Sequence, residues 1–423
     1  MSQTYKCATQ RMLNSITLVG FIKNLMQPNT EQKPVYSLRQ LVLYFLKLGY
    51  SGFGGPVALV GYMHRDLVEN RKWISEEDYK EGLTLAQLAP GPLAAQLGIY
   101  IGFIHYRYVG ATLVGLAFVL PSFLMVVVLG IFYKMYNGIA WMQSVFYGVG
   151  AAVIGIIAMS SYKLTTKSIG KFTVNSFTSK WLLWLFYAIA LAITFFTQSE
   201  VLLLFIAAGF LYMFIKAPPV WAKQNAASVF LFGSVGFWNF DANKLQQLAV
   251  FFTKAGAFVF GSGLAIIPFL HGAVTDYHWI DEHTFLDAVA VAMITPGPVV
   301  ITVGFIGFLV AGFPGACVAA ACTFLPCYLF TVIPAPYFKK YAKNVSIKAF
   351  VDGITAAVVG ALTGAVIIIA VNTFTQNHTV AVDIPSVLIA VTTVLTLLYI
   401  KKIQEPYIIL IAALAGLLLK SFL

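Results

Sequence analysis

The sequence has little charge for its length of 423 residues. Only 10% of its residues are Asp, Glu, Lys or Arg and 59% are hydrophobic, whereas roughly 25% are charged in an ordinary soluble domain. Apolar runs of about 20 residues recur from Leu41 almost to the C-terminus, and each is long enough to cross a bilayer as a helix. A soluble globular protein is therefore excluded, and the sequence predicts an all-α polytopic membrane protein.

Acidic residues are the scarcer charge, since 16 Asp and Glu stand against 27 Lys and Arg, a net charge of +11. The cations lie in short stretches between apolar segments rather than on one basic face, so nucleic acid is not an expected partner. Cytoplasmic loops of membrane proteins collect Lys and Arg in this way. The partner that this composition predicts is the lipid bilayer.

Cysteine is also rare, and the motifs of metal and nucleotide enzymes are missing. Three of the four cysteines, Cys317, Cys322 and Cys327, lie in one apolar stretch without the CxxC pairs or accompanying histidines of a zinc site. The GxSxG, HExxH and P-loop patterns are absent. We therefore expect small buried cysteine side chains, no enzyme activity, no metal and no cofactor.

The first 36 residues are more polar than the rest. They carry Lys6, Arg11 and Lys23 and contain only a brief apolar stretch from Ile16 to Ile22, unlike a cleavable signal peptide. Segment 1–36 is therefore predicted to stay in the cytoplasm.

The most informative feature of the sequence is an internal repeat. Equivalent residues lie 207, then 206, then 205 positions apart: Lys47, Gly49, Phe53 and Gly54 with Lys254, Gly256, Phe260 and Gly261; Pro90, Gly91 and Pro92 with Pro296, Gly297 and Pro298; Gly110, Pro121, Gly148 and Gly155 with Gly315, Pro326, Gly353 and Gly360. The chain is predicted to contain two homologous halves, residues 37–223 and 243–423, joined by a short membrane segment at 224–242.

The distribution of Lys and Arg predicts opposite orientations for the two halves. The stretch from His64 to Lys80 contains four of these residues, whereas its equivalent, His271 to Thr284, contains none and is acidic. Such an inverted-topology repeat is a recurrent build of secondary transporters, which hold the substrate near the midplane where the repeats meet. The apolar stretch from Ala226 to Phe240 is then expected to carry the chain across between the halves.

The segments that carry the repeated motifs allow two arrangements. Leu41 to Met63 and Gly82 to Ile104, like their equivalents Leu245 to Leu270 and Phe285 to Leu309, are each long enough to cross the membrane. Crossing places the basic stretch between the first two outside, whereas re-entrant hairpins keep it inside. The charge distribution favours the hairpins.

Each motif segment contains consecutive Gly and Pro residues near its middle. Such residues remove hydrogen-bond donors and permit unusual dihedral angles, so a helix is expected to stop there and a new one to begin. A helix N-terminus at membrane depth attracts anions. The alternative is that these residues only kink helices or let them pack closely. The predicted break residues, expected to converge on one anion site, are Gly54, Gly55, Pro56, Pro90, Gly91 and Pro92 with Gly261, Ser262, Gly263, Pro296, Gly297 and Pro298.

Two lysines at equivalent positions, Lys47 and Lys254, lie inside apolar runs a few residues before a glycine break. A charge there costs about 2.5 to 3.5 kcal/mol on insertion scales, which makes it a candidate functional residue. We find no Asp or Glu at membrane depth beside them in the sequence, so their expected counter-ion is an anionic substrate. The alternative is that both side chains extend to the water interface.

Polar residues near the breaks are weaker candidates, because membrane helices also use such residues to bind one another. Those able to donate hydrogen bonds to an oxyanion are Gln87, Gln96, Thr295 and Thr302. His64 and His271 occupy equivalent segment ends. Histidine as a residue type titrates near neutral pH, so a role in ion coupling is an alternative to an ordinary interfacial position.

This combination of elements resembles the chromate ion transporter family in its long, two-domain form. The resemblance rests on KLGYSGFGGPVALVGYMHRDLVENRKWISEEDYKEGLTLAQLAPGP and KAGAFVFGSGLAIIPFLHGAVTDYHWIDEHTFLDAVAVAMITPGP, and it covers most of the chain after Ser37. Ser262 interrupts the usual glycine run, and Met293 stands where the first half has Gln87, so equal contributions from the halves are not expected. The family's motif positions here are Phe53, Gly54, Gly55, Pro90, Gly91 and Pro92, then Phe260, Gly261, Gly263, Pro296, Gly297 and Pro298.

The resemblance implies export of chromate across the bacterial inner membrane. The inverted repeat and its broken helices predict a secondary active transporter that works by alternating access at a midplane site. A proton or a counter-anion is the implied coupling ion, and a homodimer is left open. Chromate and sulfate are both tetrahedral dianions of similar size, so a sulfate or other oxyanion exchanger is one alternative. An anion channel lined by the same broken helices is another.

Overall fold

The computed structural model of the chain describes residues 35–53, 55–136, 140–198, 202–218, 244–259, 263–338, 344–375, 383–400, 403 and 405–422. All regular elements within these ranges are helical, which confirms the predicted all-α class for them. Segment 1–36, apart from its last two residues, lies outside the described ranges, as does the predicted connecting segment 224–242. The candidate residues Gly54, Phe260, Gly261 and Ser262 are outside them too.

The first repeat contains eight described α-helices. They are α1 (Leu38–Ser51), α2 (Gly55–Met63), α3 (Glu76–Leu88), α4 (Leu93–Tyr136), α5 (Ala140–Ser168), α6 (Val174–Ser179), α7 (Trp181–Thr197) and α8 (Leu202–Lys216). A π-helical turn, His64–Asn70, continues α2.

The second repeat follows the same order. It contains α9 (Lys244–Ala257), α10 (Ile267–Thr275), α11 (Glu282–Ile294), α12 (Thr302–Val332), α13 (Val345–Phe374), α14 (Ile384–Tyr399) and α15 (Glu405–Phe422). Short 3-10 turns, Gly263–Ile266 and Val299–Ile301, precede α10 and α12.

Equivalent helices begin at equivalent capping residues. Ser75 accepts a hydrogen bond from the N–H of Asp78 at the start of α3, and Asp281, 206 positions later, accepts one from the N–H of Thr284 at the start of α11. Each cap satisfies an amide that has no partner within its own helix. The repeat is therefore visible in the positions of the helix boundaries as well as in the sequence motifs.

Four segments are long and apolar enough to cross a bilayer, judged by length and composition. They are Leu93–Tyr136, Trp141–Ser168, Val299–Tyr337 and Val345–Phe374. Shorter apolar helices include Trp181–Thr197 and Ile384–Tyr399. The chain is accordingly a multi-pass membrane protein.

The long helices α4 and α12 each consist of two arms that run in opposite directions. Arg107 in α4 has φ 51° and Gly312 in α12 has φ 64°, both in the left-handed region. The arms of α4 then pack so closely that a Cβ atom on Gly102 would lie 2.5 Å from the carbonyl oxygen of Gly110. Gly307 and Gly315 make the equivalent contact in α12. Glycine at these positions is required because any side chain would push the arms apart.

The chain also reverses direction within the motif segments. The Tyr44 hydroxyl in α1 lies 3.4 Å from the carbonyl oxygen of Tyr62 in α2. In the second repeat the rings of Phe251 and Tyr277 lie 5.4 Å apart. These residues stand on opposite sides of the first break in each repeat, so the helices before and after it lie side by side.

The last two helices of each repeat pack against the other repeat. α7 and α8 pack against α13, and α14 and α15 pack against α5. Four glycines of the repeat pattern lie at these crossings, and a Cβ atom on any of them would overlap the facing backbone: Gly148 with Gly416, Gly155 with Ala390, Gly353 with Ala208, and Gly360 with Tyr187. Small residues that let helices approach closely are typical of membrane interfaces.

The buried apolar residues form two main clusters. One unites the motif helices of the first repeat with the nearby arms of α4 and the end of α12. The other unites the motif helices of the second repeat with α5, α7, α8 and α13. The motif helices of the first repeat therefore belong to a packing unit separate from that of the second.

Candidate anion-binding site

The helices stop at the predicted breaks in both repeats. α1 ends at Ser51 and α2 begins at Gly55, whose φ of 71° lies in the left-handed region. The break between α3 and α4 includes Gly91, with φ 144°, and the break after α11 includes Gly297, with φ 100°. Glycine adopts these backbone conformations without the strain that a side chain adds.

The breaks of one repeat bond to the breaks of the other. The Gly297 N–H donates to the carbonyl oxygen of Gly52 at 2.9 Å, and the Gly91 N–H donates to the carbonyl oxygen of Val259 at 2.5 Å. Gly91 and Gly297 are equivalent positions, as are Gly52 and Val259. The two hydrogen bonds therefore form a reciprocal pair, which gathers the four breaks into one layer, here called the break layer (described residues 52–53, 89–92, 258–259 and 295–298).

A pair of small side chains supports the break layer from the long helices. The Ser122 hydroxyl in α4 donates to the carbonyl oxygen of Pro296 at 2.8 Å and lies against Gly297. At the equivalent position of α12, the Cys327 sulfur lies 3.0 Å from where a Cβ on Gly91 would stand. Each long helix thus contacts the Pro-Gly-Pro sequence of the opposite repeat.

These bonds determine which amides are free to face a ligand. The N–H groups of Gly91 and Gly297 already donate to carbonyl oxygens, and proline has no N–H. The amides that helix geometry leaves without an acceptor are those in the first turns of α2 and α4. Residues 55, 57, 58 and 93–95, rather than the Pro-Gly-Pro residues, therefore have amides that could donate to a ligand, since Pro56 has no N–H.

Glu405 is a carboxylate that the sequence reasoning missed. Its Oε2 lies 3.8 Å from the position of a Cβ on Gly55, at the start of α2. A carboxylate beside a helix N-terminus interacts favourably with the helix dipole. In the first repeat, the Glu405 carboxylate therefore competes with an anionic ligand for the positive N-terminal end of α2.

The two candidate lysines lie on exposed faces of their helices. Lys47 in α1 and Lys254 in α9 are both exposed, next to faces that bury Leu48 and Ala255. The structure thus places both cations at the surface beside the break layer and not in its buried interior. Phe53, within the first break, is half-buried.

The polar candidates separate into exposed and buried residues. Gln87 is exposed, whereas Gln96 is fully buried and donates from Nε2 to the carbonyl oxygen of Pro90 at 2.8 Å. Gln96 Oε1 has no hydrogen-bond partner within the described part of the chain. Thr295 and Thr302 are buried and donate to carbonyl oxygens of their own helical turns. Gln96 is therefore the polar side chain most closely tied to the break layer.

Asp287 is a second carboxylate that the sequence pattern did not single out. The search for acidic residues at membrane depth considered only the surroundings of the two lysines. Asp287 is buried in α11, and the Tyr133 hydroxyl donates to its carboxylate at 2.7 Å. A signal for it exists in the sequence: Asp287 interrupts the apolar run FLDAVAVAM, and its equivalent in the first repeat, Glu81, is also acidic.

The cysteines are packed less uniformly than the sequence suggested. Cys327 is buried as expected, but Cys317 and Cys322 are only half-buried. In the described ranges, His, Cys, Asp and Glu residues form no group of three or more that could hold a metal ion. The described groups at the break layer can therefore bind a ligand through hydrogen bonds and charge.

The breaks lie in parts of the sequence that match a known protein family. A family model described as "Chromate transporter" matches residues 39–213 and 246–417, which together include every break. The chain belongs to the chromate transporter family. Members of this family are transport proteins rather than enzymes, and the resemblance seen in the sequence is confirmed.

Several relatives resemble the chain over most of its length. The chromate transport protein of Cupriavidus metallidurans is 63% identical, covering 91% of this chain and 94% of that protein. The probable chromate transport protein of Synechococcus elongatus is 57% identical, covering 92% and 97%. An uncharacterised transporter of Methanocaldococcus jannaschii is 30% identical, covering 77% and 83%. No solved structure matches the chain significantly.

Proposed function

We propose that the protein is a secondary active transporter that exports chromate, or a related tetrahedral oxyanion, across the bacterial inner membrane. Membership of the family and the printed names of two relatives support the substrate class. The observation that carries the mechanism is the reciprocal bonding of Gly91 to Val259 and of Gly297 to Gly52, which draws the breaks of both repeats together. Substrate sites of many secondary transporters lie where such repeats meet.

The two repeats form an inverted pair in this proposal, with the N-terminus in the cytoplasm. The support is the direction of equivalent helix arms. The hydroxyl of Thr112, near the start of the second arm of α4, lies 2.8 Å from the hydroxyl of Tyr328, near the end of α12. Phe123, farther along α4, has its ring 6.3 Å from that of Phe313 at the start of the equivalent arm. The arms therefore run antiparallel, as an inverted repeat requires.

The motif segments are re-entrant hairpins in this arrangement. α1 and α3 contain 14 and 13 residues, and a helix of 14 residues is only about 21 Å long, short of the roughly 30 Å hydrocarbon core. The reversal of direction at each break supports the same view. Irregular backbone then lies at membrane depth, inside protein, where its polar groups find partners.

The anion is proposed to bind at the first-turn amides of α2 and α4, with Lys47 and Lys254 attracting it to the break layer. Free amides at a helix start donate hydrogen bonds to an oxyanion, and the dipole favours its charge. Because both lysines are exposed beside the layer, their role is to raise the local concentration of the anion rather than to enclose it.

Transport would proceed by alternating access, with the motif helices of the first repeat moving against the larger packing unit. The separation of the buried residues into two clusters supports this division. A proton or a counter-anion is the proposed coupling ion, and a homodimer is the proposed assembly.

Flux into proteoliposomes tests the proposal. We expect purified protein to catalyse saturable chromate counterflow, and the variants Lys47→Ala and Lys254→Ala to lower it by reducing the attraction for the anion. Lys171→Ala is the matched control, because Lys171 is exposed in the connection after α5, away from the breaks. Unchanged flux in both test variants would remove the lysines from the proposal.

The same vesicles separate the alternatives. Competition by sulfate or molybdate at equal concentration would identify a broader oxyanion exchanger. Large, non-saturating currents without counterflow would identify a channel. Comparing inside-out with right-side-out vesicles establishes the direction of export.

A further inference from the structure

A polar cavity of about 560 Å³ lies beside α11, outside the break layer. It is formed by the end of α4, the start of α5, the start of α11, the end of α13 and the start of α14. Its lining residues include Tyr133, Tyr147, Asp281, His283, Asp287 and Asp383. Lys and Arg are absent from this lining, so the cavity is negative and attracts cations, including protons, rather than the proposed anionic substrate.

Asp287 is the most enclosed carboxylate of this cavity. It is 7% exposed, and its described hydrogen-bond partner is the neutral hydroxyl of Tyr133, at 2.7 Å. No ion pair to Asp287 occurs within the described ranges. An ionised carboxylate buried without a cation is costly, and uptake of a proton removes that cost.

The charged and titratable groups that face Asp287 across the cavity come from several of the helices around it. The titratable groups that line the cavity with Asp287 are Asp281 and His283 at the start of α11, Tyr133 of α4, Tyr147 of α5 and Asp383 at the start of α14. α13 contributes only the neutral Asn372 and Thr373 to the described lining, and α10, α12 and α15 contribute no residue to it. Lys134 follows Tyr133 in the chain, but its Nζ donates to the carbonyl oxygen of Phe308 at 3.2 Å.

The first repeat has the same chemistry at the equivalent place. Glu81 stands 206 positions before Asp287 and forms a hydrogen bond with Tyr100. Glu81 is half-buried, in a helix that packs mainly against its neighbours within the first repeat, whereas Asp287 is enclosed. A carboxylate bonded to tyrosine is therefore present in both hairpins, and its exposure differs with the packing of the helix that carries it.

We propose that Asp287 is a proton-binding site, supplied through this cavity, whose protonation allows α11 to close against α5. In the closed arrangement the carboxyl is enclosed and protonated; when α11 separates from α5, water reaches the carboxylate and the proton leaves to the same solution. The pH on the cavity side then sets the balance between the two arrangements. This inference rests on the movement of motif helices in the proposed function, but not on the identity of the transported anion.

Accessibility of α11 tests the inference without any transport assay. Leu286 lines the cavity but is 2% exposed and packs beside Gly150 of α5, so a cysteine there should react faster with a bulky thiol reagent when α11 opens. We expect labelling of Leu286→Cys, in a background without native cysteines, to slow as the pH falls. Asp287→Asn, which mimics the protonated carboxyl, should abolish that dependence and keep labelling slow. Asp287→Glu should restore it.

Comparison at each pH with Asp276→Asn removes the intrinsic effect of pH on thiol reactivity. Asp276 is exposed and does not line the cavity, so this control should behave like the native chain. Identical labelling of Asp287→Asn and Asp276→Asn at every pH would overturn the inference. Loss of chromate flux with pH-dependent labelling intact would instead count against the proposed substrate alone.

Tyr133→Phe provides an independent measurement if Asp287→Asn does not fold. The tyrosine hydroxyl stabilises the ionised carboxylate, and a hydrogen bond to a charged group is worth about 1.5 to 3 kcal/mol. Its removal should move the midpoint of labelling upward by about 1 to 2 pH units. An unchanged midpoint would overturn the assignment of the proton to Asp287.

Discussion

The equivalent helices α3 and α11 show how differently one repeat unit packs in its two copies. α11 buries nine consecutive residues, Phe285 to Met293, whereas α3 buries four. α11 packs against α5, α13 and α15 of the helical bundle. The corresponding bundle partners of α3 would be α13, α5 and α8, but α3 packs mainly against α4 and the π-helical turn. The difference therefore lies in the environment of the helices rather than in their own structure.

A smaller difference of the same kind separates two histidine–glutamate pairs. His64 and Glu76, at the loop of the first repeat, have side chains 32% and 50% exposed; the equivalent His271 and Glu282 are 4% and 20% exposed. Both pairs are hydrogen bonded, at 2.9 and 3.0 Å. The second repeat is closed over its pair, while the first repeat leaves its pair in contact with solvent. In an alternating-access cycle, the two repeats are expected to exchange these environments.

Fixing α11 to α5 should have the largest effect on function. A Cβ on Gly150 would lie 3.8 Å from the Cβ of Leu286, which is the separation found in disulfides. We expect oxidation of a Gly150→Cys/Leu286→Cys variant, in a background without native cysteines, to abolish chromate flux because the hairpin is no longer free to leave the bundle. Reduction should restore the flux.

The equivalent pair in the first repeat provides the counterpart. Lys80 and Thr355 occupy the positions that the repeat relates to Leu286 and Gly150. A Lys80→Cys/Thr355→Cys variant should form its disulfide only as the chain takes the exchanged arrangement, and faster in the presence of transported anion. Each single-cysteine variant is the control for modification alone. Full flux through fully oxidised Gly150→Cys/Leu286→Cys protein would contradict the exchange of environments.

The reciprocal bonds of the break layer should be the most sensitive part of the structure to a single added methyl group. Alanine at Gly297 must adopt φ 100° and collides with Ser122, which together should lower the free energy of unfolding by about 2 to 4 kcal/mol. Gly91→Ala has the same strain, but it meets the end of the Gln96 side chain, so a somewhat smaller loss is expected. Thermal unfolding in detergent measures both.

Gly61→Ala is the matched control for these substitutions. Gly61 lies in α2 with open space around its Cα, so alanine there should be neutral or stabilising by up to about 1 kcal/mol. If Gly297→Ala were no less stable than Gly61→Ala, the close contact between the two repeats at the breaks would be absent from the folded protein.

Much of this architecture could be predicted from the sequence because it follows from local chemistry. Consecutive Gly and Pro stop a helix wherever they occur, so the break positions were recognisable without tertiary information. The repeat offsets likewise predicted equivalent helices. The side of the membrane on which each connection lies, and the re-entry of the hairpins, stay predictions from charge.

The arrangement of the site could not be read in the same way, because it depends on contacts between residues far apart in the chain. Sequence reasoning assigned the Gly91 N–H to an anion, but the structure gives it to Val259 of the other repeat. It gave weight to Lys47 for its apolar neighbours, yet an apolar run does not reveal which face of a helix is buried. Asp287 was overlooked because its burial arises from packing against α5, which the sequence alone does not show.

Removing the Ser122 hydroxyl should have an intermediate effect on stability. In Ser122→Ala the buried carbonyl oxygen of Pro296 loses its donor, which should cost about 1 to 3 kcal/mol in the free energy of unfolding. Cys327→Ala, at the equivalent position, removes only a sulfur that packs against Gly91 and should cost less than Ser122→Ala. Equal losses of stability would show that the hydroxyl contributes by packing and not by its hydrogen bond.

The exposed pair of the first repeat should give the smallest effect, visible mainly in the pH dependence of stability. Hydrogen bonds from His64 and then Lys80 lower the pKa of Glu76 below its usual value of 4.5. The ionised carboxylate is thus favoured in the folded state, so its contribution is present above the usual pKa and is lost as the pH falls through the lowered one. Because Glu76 is solvent-exposed, Glu76→Gln should change the melting temperature least of all these substitutions and only flatten its decline in acid.

His271→Ala, which removes the partner of the enclosed Glu282, should lower the melting temperature more at neutral pH. Melting curves of the two variants that coincide from neutral to acidic pH would show that the difference in enclosure between the two pairs has no energetic consequence.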